Sequence, residues 1–62
     1  MKIIARSNFD NEQVSDKLIA ENVDPNFGIA ITAYLNTIFS GADAEFYFIW
    51  VTDDYRLYKF EP

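Results

Sequence analysis

The chain has 62 residues, ten acidic against five basic, a net charge of −5 at pH 7, and neither Cys nor His. That length allows a single domain, 1–62, with marginal stability, because so small a fold buries only about 60% of the surface its unfolded chain exposes. The missing residue types exclude disulfides, thiolate chemistry, zinc centres and histidine acid–base catalysis, and the acidic balance disfavours direct binding to nucleic acid or anionic membranes.

Lys2 to Arg6 reads as a short strand around the β-branched pair Ile3 and Ile4. Its opening is too short and too soon charged for a signal peptide. Phe9-Asp10-Asn11-Glu12-Gln13-Val14 then carries two helix-start devices. Asp10 fits an N-cap with Gln13 as its capping-box partner, and Phe9 and Val14 have the spacing of a hydrophobic staple. A first helix is expected from about Asn11 to Asn22, with Val14, Leu18 and Ile19 turned inward. Asp24-Pro25 predicts a second helix start, with Asp24 as N-cap and Pro25 in the first turn. That helix should run to about Phe39, with Phe27, Ile31, Tyr34, Leu35 and Ile38 as its apolar stripe and Gly41 ending it. Ala30 and Ala33 lie off the stripe and permit close approach of another element.

Phe46-Tyr47-Phe48-Ile49-Trp50-Val51 is aromatic and β-branched throughout and predicts a strand. Thr52-Asp53-Asp54 supplies turn chemistry, and Tyr55 to Phe60 is expected to return as the other half of a hairpin. The expected fold is α+β, in the order β-α-α-β-β, with two helices packed on a small, mainly antiparallel three-stranded sheet. If Val51 pairs with Tyr55, one face carries Phe46, Phe48, Trp50, Arg56, Tyr58 and Phe60, the richer in aromatics and so assigned to the core. The other carries Tyr47, Ile49, Val51, Tyr55, Leu57 and Lys59, and is still largely apolar. Either the helices cover part of each face or the surplus is simply tolerated exposure, or Tyr47, Ile49, Val51, Tyr55 and Leu57 form a patch for a partner or a second copy. A one-residue slip in the hairpin would exchange the two faces.

Glu12 and Asp16 stand four apart on the expected first helix, where they share a face and repel mildly. With Asp53 and Asp54 they could form a negative strip that occupies a basic groove on a target. The alternative is that Asp10 and Asp24 are caps, Asp53 and Asp54 are turn formers, and the remainder keeps the protein soluble. Asp53-Asp54 lacks the alternating oxygen ligands of a calcium loop. Ser7, Ser15 and Ser40 have no base to activate them, and no Gly-rich phosphate loop occurs. No enzyme, metal or cofactor is therefore expected.

Asn8-Phe9-Asp10, then Val14-Ser15-Asp16 and Leu18-Ile19-Ala20-Glu21-Asn22-Val23, resembles the opening of many short accessory proteins of tailed bacteriophages. Asp53-Asp54-Tyr55, followed by Leu57-Tyr58, is similar to their C-terminal part. The resemblance implies no catalytic residues. It implies a virus-encoded protein acting in a bacterial cytoplasm, a setting in which small acidic proteins often inhibit host defence, such as CRISPR or restriction complexes, or redirect a host enzyme. The expected function is thus an interaction module, an inhibitor of a host protein with a basic surface, with a self-associating homodimer module as the alternative.

Overall fold

A computed structural model describes residues 1–9, 13–39 and 44–61. Three strands and one helix follow in the order β1 (Lys2–Ser7), β2 (Lys17–Ala20), α1 (Pro25–Ile38) and β3 (Phe46–Val51). The sheet is antiparallel with strand order β2-β1-β3. The expected β-α-α-β-β order with two helices is therefore corrected to β-β-α-β, with one.

The reason lies in β1. A strand carries backbone donors and acceptors on both edges, and burying them unpaired is costly. On one edge β3 pairs along the whole of β1, from Lys2↔Val51 to Ser7↔Phe46. The other edge is filled by β2, through Ile3↔Ala20, Ile4↔Leu18 and Ala5↔Lys17, with a register shift between Ile3 and Ile4. The β2 segment was expected to be helical. A helix of about a dozen residues is marginal without packing, and pairing with β1 outweighs its local preference. Of the expected helix start, Asp10, Asn11 and Glu12 lie outside the described residues, and Gln13, the expected capping-box partner, stands in a turn and not in a helix.

The second helix forms where Asp24 and Pro25 place it. The Asp24 carboxylate accepts from the Asn26 amide at 2.8 Å, and Pro25 stands in the first turn. The sharp connection from β2 uses Asn22 at φ 57°, a left-handed conformation that Asn tolerates better than most residues. The expected end at Ser40-Gly41 lies outside the described residues.

The expected hairpin is also corrected. Thr52 to Asp54 do turn, with the Tyr55 amide donating to the Thr52 carbonyl at 3.1 Å. Residues 55–60 then form no strand beside β3. They run as an extended strap bound to Ser15 and Asp16: the Asp16 amide donates to the Tyr58 carbonyl at 2.8 Å, and the Phe60 amide to Ser15 Oγ at 2.8 Å. At Tyr58 and Phe60 the strap thus bonds to the residues just before β2, across the sheet from β3.

Among the described residues the buried apolar core is small: Ile3, Ile4 and Ala5, all on β1. The Cα atoms span 35 × 28 × 11 Å, so few residues lie far from the surface. The core face expected around Phe48 and Trp50 is corrected in the same way, since Phe48 is half-buried and Trp50 exposed.

Asp24→Ala should cost about 0.5–2 kcal/mol through loss of the cap. Urea denaturation checks this, and an unchanged midpoint would remove Asp24 from that role.

Candidate functional site

Alternation along β3 places Tyr47, Ile49 and Val51 on one face of the sheet, opposite Arg6, Ile4 and Lys2 of β1. The strap reaches the same face. Arg6 Nη2 donates to the Tyr55 hydroxyl, and Lys2 Nζ lies 3.5 Å from the Tyr55 carbonyl. The structure therefore gathers Tyr47, Ile49, Val51 and Tyr55 on one face, with Tyr55 brought there by the strap and not by the expected pairing with Val51. All four are half-buried, as is Leu57.

Asp16 is the hub of this face. Its carboxylate accepts from Arg6 Nε at 3.2 Å, Arg6 Nη2 at 3.4 Å, the Tyr55 hydroxyl at 3.4 Å and the Tyr58 amide at 2.9 Å. Its side chain is 1% exposed, against 25% for Arg6. The hydrogen bond to Asp16 is the largest influence on Arg6 and holds its proton more tightly than usual, burial opposing. A buried carboxylate needs such partners. Asp16 is consequently not part of a solvent-facing negative strip, and Glu12 lies outside the described residues. Sequence reasoning missed the Arg6–Asp16 pair. The available signal was Arg6 itself, a charge alternating inward on a β-branched strand and so in need of a counter-ion.

The other end of the sheet holds a small cleft of about 190 Å³, lined by Met1, Pro25, Trp50, Val51, Thr52 and Asp53. Its walls come from the residue before β1, the start of α1, the end of β3 and the turn after it. The Met1 ammonium knits these together, donating to the Val23 carbonyl at 2.8 Å and pairing with Asp53 Oδ1 at 3.1 Å. The Asp53 side chain remains 75% exposed, and Trp50 is 46% exposed. Asp54 beside it accepts from the Thr52 hydroxyl at 2.5 Å, and that bond is the first cause lowering its pKa. The cleft is smaller than the roughly 300–1,000 Å³ typical of small-molecule sites. It suits a single side chain. An aromatic face with a carboxylate at its rim favours a cation.

Charge elsewhere is arranged unevenly. Arg6 and Lys2 are engaged by Asp16 and Tyr55, and Lys17 lies 4.6 Å over the Phe46 ring. Glu21, Asp24, Glu45, Asp53, Asp54 and Glu61 are all exposed. Among the described residues no acidic group is arranged to hold a metal, and no helix is long and apolar enough to cross a membrane. No protein-family model matches the chain, and no curated protein or solved structure matches it.

Two outcomes check this geometry. Asp16→Ala leaves Arg6 unpaired and the Tyr58 amide without its acceptor. It should cost about 2–3 kcal/mol, less than a fully buried pair because Arg6 is partly exposed. Amide exchange at Tyr58 and Phe60 should accelerate, and unchanged protection there would remove Asp16 as the strap's anchor. Thr52→Val should raise the Asp54 pKa toward the ordinary carboxylate range, read by NMR titration. Because the folded value is depressed, Asp54 adds stability above the unfolded carboxylate pKa of about 3.9, and this is lost on acidification through the folded value. A titration unchanged by Thr52→Val would contradict that cause.

Proposed function

We propose that this chain is a non-catalytic interaction module that binds a basic surface of another protein, with the Trp50–Asp53 cleft receiving a cationic side chain. The observation that carries the reading is the cleft itself, an exposed Trp50 ring beside the largely exposed Asp53 carboxylate. The surrounding charge supports it. Exposed carboxylates steer a basic partner during approach, while a desolvated aromatic–cation contact holds it afterwards. The resemblance to phage accessory proteins suggests the setting, a host defence complex whose basic groove normally holds nucleic acid. Inhibition then follows from occupancy of that groove. Imitation of phosphates rests on Asp53 and Asp54, since Asp16 is committed to Arg6.

Titration with an Arg-rich peptide, followed by the single Trp50, tests this. Chemical-shift changes should centre on Trp50, Thr52 and Asp53, and binding should weaken with salt. Trp50→Ala should weaken it by about 1 kcal/mol, roughly fivefold. Salt-insensitive binding, or shifts centred away from Trp50, would overturn the reading.

A further inference from the structure

Helix α1 docks on the sheet by an unexpected side. Its buried residues are Gly28 and Thr32. The Thr32 hydroxyl donates back to the Gly28 carbonyl at 2.7 Å, which lets it be buried. A Cβ at Gly28 would overlap the Met1 side chain, so the helix closely approaches the residue that leads into β1. One turn after Thr32, half-buried Asn36 bonds the Phe48 backbone twice, donating to its carbonyl and accepting from its amide, both at 2.8 Å. Gly28, Thr32 and Asn36 thus form the line that meets β1 and β3.

The apolar stripe lies elsewhere on the cylinder. Phe27, Ile31, Tyr34 and Ile38 are 62%, 42%, 66% and 50% exposed. Their spacing of four, three and four residues keeps them in one narrow row, the spacing of a helix–helix seam. Ala30 borders the row and leaves room for a neighbouring backbone. An isolated exposed Leu or Ile is ordinary, but a continuous row of large apolar side chains is not.

We infer that this row is the contact surface of a symmetric homodimer, with α1 packed antiparallel against α1 of a second copy. Charge selects the occupant. Each copy carries −5, so two copies repel unless they meet on a surface free of carboxylates. Helix α1 has no Asp, Glu, Lys or Arg in its 14 residues. A basic partner gains nothing from such a face, whereas a second copy avoids repulsion there. The row is also self-complementary. About a two-fold axis midway between positions 32 and 33, Phe27 meets Ile38 of the other copy, and Ile31 meets Tyr34, reciprocally. Antiparallel packing also sets the helix dipoles favourably.

Area suits a concentration-dependent dimer. The chain exposes 4572 Å², against about 4,100 Å² for an average monomer of its mass. On each copy Phe27 and Tyr34 alone expose roughly 250 Å². With Ile31 and Ile38 the row reaches roughly 400 Å² per copy, about 800 Å² for both, the scale of a weak interface below the roughly 1,200 Å² at which stable ones begin. Burying the row would also extend a core otherwise limited to Ile3, Ile4 and Ala5. This inference concerns a different surface from the cleft and does not depend on it.

The test is sedimentation equilibrium of the intact chain over a wide concentration range, with Ile31→Glu and Tyr34→Lys. The wild-type chain should sediment at twice its 7.2 kDa mass. Each variant alone should lose dimerisation at least a hundredfold. An equimolar mixture of the two should restore a dimer, because Glu at 31 of one copy then faces Lys at 34 of the other. If a variant is unfolded alone, refolding in the mixture gives the same support, and a mixture that stays unfolded overturns the inference. A wild-type monomer at every concentration, or a dimer indifferent to both variants, also overturns it. The Arg-rich peptide titrated into folded monomeric variants reads the Trp50 cleft separately, so either proposal can fail while the other stands.

Discussion

The fold depends on how strand β1 is enclosed. Its residues Ile3, Ile4 and Ala5 are the buried apolar core among the described residues, and they are enclosed because every side of β1 is occupied. Strands β2 and β3 complete its edges, α1 packs on the β1–β3 side, and the strap crosses the remaining face. The strap is held by one carboxylate. Asp16 accepts from Arg6 of β1 and from the Tyr58 amide of the strap, so it joins the middle of the sheet to the last residues of the chain. A charge pair in a domain this small is a matter of geometry as much as of net stability. Its attraction is offset by desolvation, but a lone Asp16 or Arg6 there would be costly.

Local signals in the sequence identified β1, β3 and α1, and for α1 the cap itself. Asp24-Pro25 acts through bonds spanning two or three residues, and such short-range chemistry survives tertiary packing. Residues 17–20 were misread because their decisive partner is distant in sequence. Leu18 and Ile19 suit either a helix face or a strand, and the open edge of β1 decides between them. The returning hairpin strand failed for a related reason. Tyr55 to Phe60 alternates like a strand, but the turn delivers it to Asp16 and Ser15 rather than to the edge of β3. At Phe48 that edge is instead closed by the Asn36 side chain, which occupies the backbone groups a fourth strand would use.

For the candidate site, the shared face of Tyr47, Ile49 and Val51 was legible from alternation alone, whereas Tyr55 was placed there by a hairpin pairing that does not form. The covering of that face was not legible, since nothing local reveals that the strap folds back over it. The cleft was invisible for the opposite reason. Met1, Pro25, Trp50 and Asp53 are scattered along the chain and converge only through the Met1 ammonium and its two partners. Together the pieces describe a small acidic protein with two unlike surfaces: a charge-free helical row suited to a second copy, and an aromatic cleft with carboxylates suited to a cation. A two-fold dimer would present two such clefts, and paired weak contacts gain from effective concentration.

Backbone NMR of residues 13–22 and 55–60 tests the account most directly, because the enclosure of β1 rests on both segments. The account predicts extended chemical shifts over 17–20, cross-strand contacts from Ile3 to Ala20 and from Ile4 to Leu18, and contacts from the Tyr58 amide to residues 15 and 16. Helical shifts through residues 13–22, or strand pairing of Tyr55 to Phe60 with β3, would contradict it.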